Sequence, residues 1–267
     1  MSQAAEISAR PDTRRAALDV PTAAVAVGMT VGLVAVIALH ASGPMPLWLG
    51  LVINTFLMNL SFTAWHEACH GNLSKSRTVN TAFGIATSFA SIYPGYFARR
   101  REHLCHHRYE GDATQDPVYP RIQGSLLSFP LRLVRANHTA DMRVPIPASF
   151  LPMTPTQKWA DRISNLLAFS LLGVGLLTHT FASIFWLWFV PRAIVFLAHA
   201  IYICHFPHSI PGGGYEVYRV RSGRLLAALT MNQSLHGVHH RWPSIPWHRY
   251  GAVLASIDPD AEGIELR

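Results

Sequence analysis

Three short histidine motifs constrain this chain more than anything else in it. They are His66-Glu67-Ala68-Cys69-His70, His103-Leu104-Cys105-His106-His107 and His236-Gly237-Val238-His239-His240. Together they hold eight of the fifteen histidines, and each adjoins a long apolar stretch. On a helix, residues four apart are neighbours on one face, about 6 Å apart. In the His-x-x-His-His form the imidazoles fall within an arc of roughly 100° and converge. With fifteen histidines in 267 residues, random order gives one His-x-x-His-His about one time in twenty, whereas His-x-x-x-His alone is close to a coin toss. The information lies in the set.

The surroundings of the motifs are those of a membrane protein. Half of the residues are hydrophobic and 14% are charged, against about 25% in a soluble domain. The net charge is +7, but the arginines flank apolar segments instead of forming one basic domain. That pattern is a positive cytoplasmic face, and it argues against a nucleic-acid partner. Cys69, Cys105 and Cys204 form no Cys-x-x-Cys pair, so neither a disulfide framework nor a thiolate zinc site is expected. They read as small apolar packing residues. No signal peptide is evident.

Residues 1–20 are polar, with Arg10, Arg14 and Arg15, and are expected to be a disordered cytoplasmic tail. Residues 21–39 and 47–65 are apolar runs, each long enough to cross a bilayer core of about 30 Å. Residues 163–178 and 181–203 form a second pair, turning at His179 and Thr180. Residues 80–98, interrupted by Pro94 and Gly95, read as a re-entrant or interfacial segment. Residues 126–135 are amphipathic, residues 137–160 irregular with four prolines, and residues 211–214 a Gly-rich break. Residues 221–235 are expected to be a helix leading into the third motif. Pro191 and Arg192 lie within the fourth span, so part of that helix should face protein or a cavity. The expected fold is all-α: a multi-pass membrane protein of about four transmembrane helices, with a cytoplasmic helical cap carrying a histidine-rich dimetal site. The membrane domain covers residues 21–255, followed by a tail of residues 256–267. Arginines before the first span place all three motifs on the cytoplasmic side, in a cytoplasmic (inner) membrane.

Imidazole suits iron, zinc and copper. A catalytic zinc site uses three protein ligands and a water, so eight motif histidines match two metal ions with positions left open. Carboxylates supply most ligands in helical-bundle di-iron proteins; here the site would be of an all-histidine type. His205 and His208 are additional candidates. A competing reading is an intramembrane zinc metalloprotease built on His66-Glu67-Ala68-Cys69-His70, with Glu67 as general base, though it leaves six motif histidines unused. His40, His138, His179 and His248 read as ordinary turn or loop residues, and His199 as a packed or hydrogen-bonded one.

With these residues in view, the chain resembles the membrane fatty-acid desaturase superfamily, which includes carotenoid hydroxylases and ketolases. The likeness spans roughly residues 66–250. It rests on the three motifs and on the residues trailing two of them, in the run from His103 through Asp116-Pro117 and the run from Asn232 through Trp247. The resemblance implies two iron ions held by His66, His70, His103, His106, His107, His236, His239 and His240. A ninth ligand comes from before the third motif, His208 first and His205 second. Cys204 stands near the place where the family often has an Asn beside this ligand. Carboxylates should orient the ligands: Asp116 foremost, with Glu67, Glu102 and Asp112. The implied chemistry is O2-dependent oxidation of an unactivated C–H bond of a lipid. Acyl desaturation stands first, on the form of the third motif. Hydroxylation or ketolation of a carotenoid ring is the alternative, on the short chain. No flavin or dinucleotide fingerprint is present, so electrons come from a ferredoxin-like or b-type cytochrome donor. Arg99, Arg100, Arg101, Arg108 and Arg121 would steer an acidic donor of that kind.

Overall fold

The computed structural model describes residues 14–90, 95–138, 143–208 and 224–257. Residues 1–13, Pro94, the Gly-rich break and residues 258–267 lie outside it. Helix α1, Val20–Ala41, begins where the Asp19 carboxylate accepts the Thr22 N–H, with Pro21 in the first turn, where its missing N–H is tolerated. Helix α2, Leu47–His70, starts after Pro46 and stops at Gly71, whose left-handed backbone (φ 71°) suits glycine. The two are roughly 33 and 36 Å long. The first motif is simply the last turn of α2.

Helix α3, Arg77–Ser88, has 12 residues. At about 18 Å it cannot cross a bilayer core, in keeping with a segment that returns to its own side. It packs on helix α4, Tyr96–Tyr109, which carries the second motif. Gly84 is required there: a Cβ on it would sit 2.1 Å from the Tyr96 ring. Helix α5, Phe129–His138, covers most of the amphipathic stretch. Helix α6, Pro155–Leu177, is opened by a capping box between Thr154 and Gln157, so the third span begins well before residue 163 and within the stretch expected to be irregular. Helix α7 runs through Phe181–His208, with wide π-helical turns at Phe185–Phe189 and Ala200–His205.

The approach to the third motif departs from expectation. Helix α8, Arg224–Leu229, ends early, and Met231 and Asn232 adopt left-handed backbone angles (φ 50° and 59°). A 3-10 turn at Gln233–Leu235 then leads into helix α9, His236–Arg241. Asn tolerates the left-handed region better than most residues, and Asn232 Nδ2 donates to the Trp247 carbonyl. Helix α10, Tyr250–Ile257, packs on α9 around Val238, Ile245, Tyr250, Val253 and Leu254.

Helices α1, α2, α6 and α7 are each long and apolar enough to cross a membrane, and among the described residues there is no strand beyond one isolated bridge, Leu18 to Ser74. The fold is all-α and multi-pass. Val31, Val34, Leu166 and Leu176 are exposed on these helices, while Met29, Leu33, Met58, Ala168, Trp188 and Val195 form the core between them. Apolar residues all round a helix are the mark of a lipid solvent. Arg192 is buried within the bundle (1% exposed), where its guanidinium lies 4.0 Å over the Trp188 ring, an attraction that offsets part of the cost of burying the charge. Residues 14–19, expected to belong to a disordered tail, are instead ordered against the loop after α2. The Asp19 N–H donates to the Leu73 carbonyl, and Arg15 donates to the His70 carbonyl.

Candidate metal centre

The histidines come from α2, α4, α7 and α9, and they meet at one end of the spans. His66, His70, His103, His107 and His239 form one group whose ligand atoms all lie within 4.8 Å of one another. His106, His208 and His240 form a second. His236 joins the second group, its Nε2 3.1 Å from His240 Nε2. The Nε2 to Nε2 separations elsewhere are 2.7 Å for His70 and His103, 3.0 Å for His66 and His239, and 3.2 Å for His106 and His208.

What the opposite ring nitrogens do decides the meaning of these distances. His106 Nδ1 donates to both oxygens of Asp116 at 2.9 and 3.0 Å. His240 Nδ1 donates to Glu110 at 2.6 Å, and His208 Nδ1 to the Cys204 carbonyl, also at 2.6 Å. A neutral imidazole that donates through Nδ1 has only a lone pair at Nε2. Three such lone pairs therefore face one another across about 3 Å, which is repulsive unless a cation lies among them. About 3 Å is also the separation of two nitrogens at right angles on one ion with 2.0–2.1 Å bonds. Burial, reinforced by neighbouring histidines, pushes His236, His239 and His240 well below the ordinary imidazole range. His103 and His107 shift the same way for the same reasons. Uncharged imidazole is the form that binds metal. The donor set fits a pair of transition-metal ions.

Asp116 is completely buried, and it also accepts the Gly111 and Val118 N–H groups. Of the other carboxylates expected at the site, Asp112 instead closes its own turn through Thr114 and Gln115, and Glu102 pairs with Arg121. His205 is turned away: its Nδ1 bonds the Ile122 carbonyl and its ring packs on Phe129. His199 bonds Asn59 and meets Phe62 edge-on, as a packed residue would. All three cysteines are free, with Cys69 and Cys105 buried.

Glu67 does not behave as a protease base. It is completely buried, and its oxygens accept Asn72 Nδ2 at 2.8 Å, the Trp247 N–H at 3.3 Å and the Tyr250 hydroxyl at 3.5 Å. A general base must face the water it deprotonates, and here those donors occupy the carboxylate. Glu110 and Tyr250, whose hydroxyl lies 3.0 Å from His239 Nδ1, are site residues that sequence spacing did not single out. The only trace of Glu110 was its place three residues after His107. The arginines read as a docking surface are also redirected. Arg99 lies over the Trp65 ring at 4.3 Å. Arg100 donates to the Cys69 carbonyl, and Arg101 to the Pro147 and Phe150 carbonyls. Of the five, only Arg108 is exposed.

Beside the histidines lies a cavity of about 300 Å³. Its walls include Phe62, Trp65, Val195 and Ile203, and His103, His106, His208 and His236 line it as well. Such volumes begin the range of small-molecule sites.

Two converging groups of histidines lie at one end of an all-α bundle with four helices long and apolar enough to cross a membrane, and an apolar chamber lies beside them. The chain belongs to the fatty acid desaturase family, whose profile matches residues 42–266. It is also 27% identical over 197 residues to zeaxanthin 4-ketolase of Chlamydomonas reinhardtii, a match that takes in 72% of this chain and 40% of the relative.

Proposed function

We propose that the protein is an O2-dependent di-iron oxidoreductase that oxidises an unactivated C–H bond of a membrane lipid, and that the lipid is a carotenoid oxygenated on its ring. The observation that carries the metal half is the set of Nδ1-anchored imidazoles whose Nε2 atoms converge. His66, His70, His103, His107 and His239 would hold one ion, and His106, His208, His236 and His240 the other. When bound, two ferrous ions supply the reductive activation of O2 that a strong C–H bond requires. Imidazole-only coordination leaves the pair cationic, and Asp116, Glu110 and Glu67 offset that charge from behind the ligands. Phe62 and Trp65 wall the chamber and keep bulk water from the reacting carbon.

The substrate half rests on the ketolase relative, a reading that reverses the order drawn from the third motif alone. Each hydroxylation consumes O2, two electrons and two protons, and gives water with the alcohol; repetition at the same carbon gives the ketone. Acyl desaturation is the second reading, supported by the description of the family. Expression in a carotenoid-producing host and in a plain one, with profiling of both lipid classes, separates the two. Keto- or hydroxycarotenoids are expected. New acyl double bonds with unaltered carotenoids would overturn the substrate.

Arg15 and Arg100 donate to the His70 and Cys69 carbonyls, at the end of the second span that bears the first motif. That end is therefore proposed to face the cytoplasm, where a ferredoxin-like or b-type cytochrome donor delivers electrons one at a time. Arg108 is the exposed cation nearest the second motif in sequence. Arg108→Glu should slow donor-dependent turnover a few-fold at low ionic strength, with the difference vanishing in high salt. Equal rates at low salt would remove Arg108 from the docking surface.

A further inference from the structure

Glu67, Tyr250 and His239 form a buried chain behind the five-histidine group. All three side chains are inaccessible to solvent. Tyr250 stands between the other two, 3.0 Å from His239 Nδ1 and 3.5 Å from Glu67 Oε1. The direction of these bonds is fixed by chemistry. A carboxylate only accepts, so the Tyr250 hydroxyl donates to Glu67, and its oxygen is left to accept from His239 Nδ1–H. That sets the His239 tautomer with its lone pair on Nε2, which lies 3.0 Å from His66 Nε2 and 2.9 Å from His107 Nε2. Reversing the chain would put a proton on Nε2, at the centre of the five-histidine group, and would aim the Nδ1 lone pair at the phenol.

The chain is also built to hold still. Glu67 is fixed by Asn72 and by the Trp247 N–H, and Asn72 is itself fixed by the Pro243 carbonyl. The Tyr250 ring sits in the small core between α9 and α10. The elements that form this clamp come from the end of α2 and from the segment after the third motif, so it joins the first motif to the third from behind the metal ligands. It differs from its counterparts. His106 and His240 meet a carboxylate directly, whereas His239 reaches Glu67 only through a neutral phenol.

We propose that Tyr250 is a positioning residue for the five-histidine metal position, orienting His239 and relaying to it the charge of Glu67. The proposal rests on the di-iron reading of the histidine cluster, and its test separates the two. Tyr250→Phe keeps the ring and removes only the hydroxyl. In the purified, detergent-solubilised full-length protein, ferrous ion content and its rate of loss to a colorimetric chelator would be measured for wild type, Tyr250→Phe, His239→Ala and the double variant. Helical circular dichroism would report on folding. Wild type should hold about two irons. Tyr250→Phe should release one of them about 10–100-fold faster, with helicity unchanged. The double variant should lose metal no faster than His239→Ala, because Tyr250 acts through that histidine. Tyr250→Phe that retains both irons as wild type does, or effects of the two substitutions that multiply, would overturn the positioning role. A wild type that binds no iron would overturn the metal reading itself. Should Tyr250→Phe fail to fold, Glu67→Gln serves instead. Its amide oxygen still accepts from Tyr250 without the charge, so it should give an intermediate release rate; a wild-type rate would overturn the relay.

Discussion

Asp116 and His208 show how much one side chain decides here. Asp116 is completely buried and accepts the Gly111 and Val118 N–H groups together with a His106 Nδ1–H shared between its two oxygens. Asp116→Asn removes the charge and leaves one acceptor oxygen, so metal affinity should fall about 10–100-fold, as measured by chelator competition. His208→Ala should reduce bound iron from about two to about one per chain, while His205→Ala should leave the content unchanged, since His205 engages Ile122 and Phe129. Equal metal loss in both variants would refute the assignment. The convergence of the histidines was legible, because residues three and four apart share one face of a helix. Their anchors were less so. Asp116 stood out by its place in a motif, but Glu110 and Tyr250 act at positions that no periodicity marks. The contacts of the arginine triplet were hidden for the opposite reason. Charge in a sequence looks solvated, whereas Arg100 bonds a carbonyl in the last turn of α2 and Arg101 bonds two carbonyls of the loop before α6.

Among the elements, α4 owes its orientation to a residue on another helix. Asp161 of α6 accepts the Phe97 and Ala98 N–H groups at 3.1 and 2.7 Å, so it caps α4 from outside. Asp161→Ala should lower stability by about 1–2 kcal/mol and loosen the second motif, seen as a lower unfolding temperature together with faster metal loss. The wide turn at Ala200–His205 has a comparable role. Such a turn carries about one extra residue, which rotates everything after it by about 100°, and His208 is the third residue beyond it. Deleting Ile201 should restore ordinary winding, swing His208 out of the cluster and reduce iron to about one per chain. Apolar runs announced the four spans plainly, because lipid demands long uncharged helices. The boundaries were less visible. Helix α6 starts among polar residues at Pro155 through a capping box, and the approach to the third motif breaks at Asn232, where backbone conformation overrides helix propensity.

At the scale of the whole molecule, the metal pair would bind side chains from four separate helices. Stripping it should therefore destabilise the entire fold. An ion held at a hundredfold excess over its Kd contributes about 2.7 kcal/mol. For a domain of this size that corresponds to a change in Tm of about 5–10 °C per ion. Thermal unfolding before and after chelation, and again after iron is restored, measures it; an unchanged Tm would mean that the folded chain holds no metal under those conditions.

The contact between Asp19 and His248 reaches further than its 2.9 Å. With the Trp247 indole donating to Thr22, it brings the start of the first span against the segment beyond the last histidine motif. The described polypeptide is thus nearly a closed ring, buckled at the histidine cluster. A single cut between α7 and α8 would open the ring without freeing either piece, since the smaller fragment would still be held by Asp19 and Thr22 on one side and by the histidines on the other. Two fragments made by such a cut are expected to co-purify in detergent, and their separation would show that these contacts are too weak to fasten the ends.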